Sequence, residues 1–144
     1  MDRVPTLAAL QVRNCYFDDT SCGFCDDSVE TIEHILCSCR LAVEVWQMIS
    51  NWAKCGPLIF FSFKDVVELH KCTRFGKQAR KVFKGIVWVT CWCIWKARND
   101  KKFHGTEVCP LKIVQSIKSI GFLWYSYRSN RKLSWEDWCN FNIG

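Results

Sequence analysis

The chain has 144 residues, of which 49% are hydrophobic and 15% aromatic, with eight Trp and ten Phe. That composition excludes overall disorder, and only three Pro and seven Gly exclude a collagen-like or linker-dominated chain. The net charge of +6 is unevenly spread: residues 1–72 carry six Lys/Arg against ten Asp/Glu, whereas residues 73–144 carry fourteen against four. The basic half therefore calls for an anionic partner.

Eleven Cys would suit a disulfide scaffold in a secreted protein, but the opening MDRVPTLAALQVRN lacks the long apolar core and small-residue cleavage pattern of a signal peptide. Eleven is also odd, so a closed set of bridges is not expected. The longest apolar run, Gly85 to Trp95, is far below the roughly 18 residues of a membrane span. These observations point to an intracellular chain, nuclear or cytoplasmic, with no membrane partner and with its cysteines reduced.

In chain order, Thr6 to Asn14 reads as a short helix behind Pro5, and Cys15 to Ser28 as a polar loop. Asp27 and Glu30 have the spacing of a capping box before the apolar positions Ile32, Ile35 and Leu36. Leu41, Val45, Met48, Ile49 and Trp52 recur at helical spacing, and Gly56-Pro57 is the stop signal. A short helix follows over about Lys64 to Lys71. Gln78 to Lys102 is the longest helical candidate, ended by Gly105. Its centre, GIVWVTCWCIW, favours a strand by propensity, but its apolar positions run in phase into Lys-rich turns at both ends. Pro110 opens another helix, and Ser134 caps a last short one. The expected fold is mainly α: a loop-built, Cys-rich knuckle with flanking helices over 1–54, and a basic, Trp-rich helical part over 55–144 packed on it as one unit.

The strongest constellation is C-x2-C-x8-H-x4-C, formed by Cys22, Cys25, His34 and Cys39. Two thiolates from a tight turn, a later imidazole and a third thiolate make the closed donor set of a structural zinc site, which leaves no position for activating water. All four fall within one of the most polar stretches, where core thiols are not expected. Cys37 competes with Cys39 for the fourth place, being i, i+3 from His34, and Cys15 is a weaker spare.

With the order PTLAALQVRN, CGFC, ETIEHILCSCRLAVEVW and, some fifty residues later, CWCIWKARNDKKFHG, the chain resembles the reverse transcriptase zinc-binding domain of plant LINE-type (non-LTR) retrotransposons. The family elements fall on Cys22, Cys25, Glu30, Thr31, His34 and Cys39, then on Ala42 and Trp46, and on Trp92, Trp95, Arg98 and Asn99. The resemblance implies Cys39 rather than Cys37 as the last ligand and one structural zinc ion. It also implies a non-catalytic accessory role in binding RNA or DNA beside a polymerase. Because a Met stands almost directly before the matching segment, a free-standing copy is expected. The alternatives are a protein-interaction module with an exposed aromatic surface and a relic of such an element.

Tyr16-Phe17-Asp18-Asp19 has the form of a polymerase metal motif, but a two-metal site needs a third carboxylate from a distant strand, and only fifteen residues precede it. No enzyme activity is expected. His70 and His104 read as helix-end histidines. On the long helix, Lys77, Arg80, Lys81 and Lys84 share a side to which Arg98 and Lys102 return, and these six are the candidate nucleic-acid contacts. Trp88, Trp92 and Trp95 lie between them. A helix apolar on every side is buried, which places these three in the core; the competing expectation is that they stack bases. Arg128, Arg131 and Lys132 form a second basic run, expected as solvated surface.

Overall fold

In a computed structural model, the described residues are 6, 20–58, 60–71 and 74–143. Of the expected helix over 6–14 only Thr6, which is buried, is among them; Cys15 and the Tyr16–Asp19 motif lie outside them. The described residues are mainly helical. A π-helical turn (His34–Ser38) leads into α1 (Arg40–Ala53), α2 (Phe63–Glu68) and a 3-10 turn (Leu69–Lys71). Then come α3 (Lys77–His104), α4 (Pro110–Arg128) and α5 (Trp135–Cys139). The β structure among the described residues is a lone antiparallel bridge, Ser21 with Val29.

The apolar centre GIVWVTCWCIW is helical inside α3, so its in-phase continuation into both ends outweighs its β-branched propensity. Thr90 is completely buried there and stays satisfied by donating its hydroxyl to the Ile86 carbonyl at 2.8 Å. Gly105, in the left-handed conformation, ends α3 while Gly105 and Thr106 N–H bond the Lys101 and Asp100 carbonyls. α1 ends at Ala53, short of Gly56-Pro57 as expected: Lys54 takes the left-handed conformation (φ 55°), and its N–H with that of Cys55 closes the last turn.

The core runs along α3, which packs on α4 and on the π-turn, while α1 packs on α4. Val45, Ile49 and Trp52 from α1 join Phe83, Ile86, Val87 and Ile94 from α3 and Ile113, Val114 and Ile117 from α4 in this layer. Indole N–H groups lock it: Trp52 donates to the Trp138 carbonyl at 3.1 Å and Trp138 to the Lys118 carbonyl at 2.8 Å. Two helical glycines mark close approaches. The Trp124 ring occupies the space of a side chain at Gly85, and the Trp138 ring that at Gly121.

The expected Asp27–Glu30 capping box does not form. Asp27 faces Arg40 at the surface, and Glu30, completely buried, turns inward to Arg98. A buried carboxylate requires a cation more than a helix end requires an exposed cap.

Candidate metal centre

The loop closed by the Ser21–Val29 bridge is folded by its own backbone. Cys22 N–H bonds the Ser28 carbonyl at 2.7 Å, Asp26 N–H the Cys22 carbonyl at 2.9 Å and Glu30 N–H the Thr20 carbonyl at 2.9 Å. The turn at Gly23 and Phe24 brings the Cys22 and Cys25 side chains to one side, with Asp26 in the left-handed conformation closing it. Downstream, Thr31 Oγ1 accepts from the His34 N–H at 3.1 Å, and the π-turn closes with Cys39 N–H on the His34 carbonyl at 2.7 Å. This five-residue step carries the chain from His34 to Cys39 in one wide turn, and such π insertions recur at functional sites. Trp46, buried on α1, donates to the Leu36 carbonyl at 2.8 Å and so anchors the π-turn to the following helix.

The result is a cluster in which one donor atom each from Cys22, Cys25, His34 and Cys39 lies within 4.8 Å of all the others. Cys22 and Cys39 are completely buried, whereas Cys25 and His34 reach partly to the surface. Cys22 Sγ and Cys39 Sγ are 3.8 Å apart. Thiolates at about 2.3 Å from a tetrahedral zinc stand about 3.8 Å from each other, so this edge fits the ion. Cys25 Sγ lies 3.2 Å from His34 Nε2, and the second ring nitrogen, Nδ1, faces the Ser38 hydroxyl at 3.3 Å. Ser38 thereby orients the imidazole with Nε2 toward the thiols, the usual role of an outer partner at a metal-bound histidine. Cys37 is buried in the core outside the donor cluster, and burial pushes its thiol up to about 11.

The electrostatics fit a dication. The hydrogen bond with Cys39 holds the Cys22 thiol at about 5, well below its ordinary 9.0, and the Phe24 N–H at 3.4 Å adds to this while burial opposes it. The same contact, followed by burial, raises Cys39. Two facing thiolates repel, so without a cation they share one proton, and a dication displaces it. Three sulfurs and one nitrogen form a closed set that holds a single structural Zn2+.

The basic candidates are divided. Arg98 is only 3% exposed and grips Glu30 with both prongs, Nε to Oε2 at 3.1 Å and Nη2 to Oε1; Nη1 reaches the Asn99 side chain at 2.8 Å. It is a core residue and is removed from the nucleic-acid set, because the Glu30 carboxylate already neutralises it. Lys77, Arg80, Lys81 and Lys84 are exposed on the first half of α3, and none takes part in an ion pair among the described residues. Lys102 is exposed at the far end. Trp88 and Trp92 are 48% and 53% exposed, which corrects their placement in the core; Trp95 is half-buried with the Arg98 guanidinium 4.9 Å from its ring centroid. The helix meets neighbours on only part of its circumference, and the apolar run covers the rest as well.

Sequence reasoning missed Glu30 as the partner of Arg98. The available signal was helical phase: Arg98 follows Cys91 and Ile94 at steps of three and four on the buried face of α3, where a charge needs an opposite one.

Residues 1–46 match the family of zinc-binding modules in reverse transcriptase. No curated protein and no solved structure matches the chain.

Proposed function

We propose that the chain, whose residues 1–46 match the zinc-binding modules of reverse transcriptase, is a zinc-stabilised, non-catalytic module that binds single-stranded RNA or DNA along the exposed side of α3. Cys22, Cys25, His34 and Cys39 hold the zinc, which supplies folding free energy and no chemistry. In the parent LINE-type element such a module would keep template RNA or nicked DNA beside the polymerase.

The supporting observation is the exposed stripe itself. Lys77, Lys81 and Lys84 continue into Trp88, Trp92 and Lys96 at steps of three or four residues, so cations and indole rings follow one line along the helix. Cations neutralise successive phosphates, and half-exposed rings offer faces on which bases stack at about 1–3 kcal/mol each. Lys96 is held by Asp100 at 2.9 Å, so the cations of the stripe left for a ligand are Lys77, Lys81 and Lys84 on the first half of the helix. A solvated polar face would not interrupt its lysines with tryptophans.

The test is fluorescence anisotropy of labelled single-stranded RNA and DNA over a range of salt. Binding should weaken steeply, by roughly −0.7 in the log–log slope per phosphate contacted. Lys77→Ala/Lys81→Ala/Lys84→Ala should abolish binding with zinc content unchanged, and Trp88→Ala/Trp92→Ala should weaken it with little change in slope. Absence of binding, alongside salt-insensitive self-association, would assign the stripe to protein contact instead.

A further inference from the structure

Beyond the stripe, α3 and the end of α4 enclose a cleft of about 440 Å³ lined by Gln78, Lys81, Trp124, Tyr125, Arg128 and Arg131. No acidic residue lines it, and none of Lys81, Arg128 and Arg131 takes part in an ion pair among the described residues. Three cations lining one cleft that holds no carboxylate give it a positive field that draws an anion.

The cleft is also built rather than incidental. Trp124 lies flush on α3 because Gly85 presents no side chain there. The Arg128 guanidinium sits over that ring, 5.8 Å from its centroid, so the cation is held at the rim before any ligand arrives. Tyr125 belongs to the floor, and its buried hydroxyl meets no protein partner, unlike the other buried side-chain polar atoms described.

We propose that this cleft is a phosphate-binding site: Arg128, Arg131 and Lys81 clamp one phosphate of a nucleic-acid strand. This rests on the reading of α3 as a single-strand track and extends it. Lys81 belongs to both surfaces, so a strand running along the stripe enters the cleft at the N-terminal part of α3. The guanidinium fork matches phosphate oxygens in pairs, which a lysine cannot do. The second basic run is thus a fixed anchor rather than a solvated charge run.

Two titrations on the full chain test this and separate it from the reading it rests on. In the first, a labelled single-stranded oligonucleotide is bound to the wild type and to Arg128→Ala/Arg131→Ala. The variant should bind about tenfold more weakly, with a salt slope shallower by roughly 0.7, at unchanged zinc content. Full affinity and an unchanged slope in the variant would overturn the anchor while leaving the track intact. In the second, inorganic phosphate is titrated while the Trp124 indole and Arg128 Nε–H resonances are followed by NMR. Saturable shifts that vanish in the double variant are expected. If the wild type binds no oligonucleotide, the track fails and this titration alone decides the cleft, the absence of saturable shifts overturning it.

Discussion

Arg98 on α3 closes a two-pronged ion pair on Glu30, four residues before the π-turn begins, and both side chains are buried. The pair joins the zinc loop to the longest helix across 68 positions of sequence, so the knuckle is seated on the core by charge as well as by packing. The two residues serve one structural purpose, and the zinc ligands between Cys22 and Cys39 are framed by it.

Removing one member leaves the other charged and dry. Arg98→Met should therefore destabilise the chain by about 3–5 kcal/mol, whereas Glu30→Leu/Arg98→Met should recover much of that loss because no unpaired charge remains. Urea denaturation of the two single variants and the double gives the coupling directly. A loss below about 1 kcal/mol for Arg98→Met would show that water reaches the site, contrary to its burial.

Zinc binding should be stoichiometric and structural. Elemental analysis should find one zinc per chain, and a chelator should lower the melting temperature and release the fold of residues 20–39. Free energies of structural zinc sites are on the order of 10 kcal/mol, and this loop has few large apolar side chains to compensate. Cys22→Ala, His34→Ala and Cys39→Ala should each lose the metal. Cys37→Ala should keep it and show only the smaller cost of a core cavity; zinc loss in that variant would reassign the fourth ligand.

Much of this was legible in the chain itself. Helix positions followed from apolar spacing, and the donor set from C-x2-C-x8-H-x4-C, because both signals are local. What escaped was non-local. Glu30 resembled a cap because its neighbours in sequence allow it, and only the fold brings Arg98 to it. Trp88 and Trp92 read as core since an all-apolar helix suggests full burial, but hydropathy does not say how many neighbours a helix has. The π-turn that places Cys39 instead of Cys37 at the donors leaves no pattern in hydrophobic spacing, and the cleft at Arg128 exists only where two helix ends meet.

Alkaline pH should weaken the fold through the thiols of α3. Burial pushes Cys91 up to about 12 and Cys93 up to about 11 from their ordinary 9.0, with Lys96 partly opposing the shift at Cys93. A thiol raised in the folded state stabilises that state below the unfolded value, and this contribution is lost as pH climbs toward the folded one. The melting temperature should hold up to about pH 9 and then fall progressively toward pH 12. Cys91→Ala/Cys93→Ala, though less stable at neutral pH, should show a shallower decline. In the native chain, alkylation followed by mass spectrometry should leave both thiols unmodified at neutral pH, and rapid labelling would contradict their burial.

Gly121→Ala offers a test of the packing beneath the cleft, because two effects of opposite sign compete there. Alanine favours a helix over glycine by about 1 kcal/mol. A methyl group on α4 at this position would stand 2.9 Å from the nearest atom of the Trp138 ring. That ring cannot easily withdraw: it is completely buried, its N–H is bonded to the Lys118 carbonyl, and its own carbonyl receives the Trp52 N–H. Overpacking of a fixed core commonly costs about 1–3 kcal/mol, so the clash should outweigh the propensity and lower stability by about 1 kcal/mol. At Gly85 the methyl would meet Trp124, which is only partly buried and so freer to move away. Gly85→Ala should therefore cost less stability but displace the ring under Arg128. Thermal melts of the two variants compare the costs, and a more stable Gly121→Ala chain would mean that α5 shifts as a unit to relieve the contact.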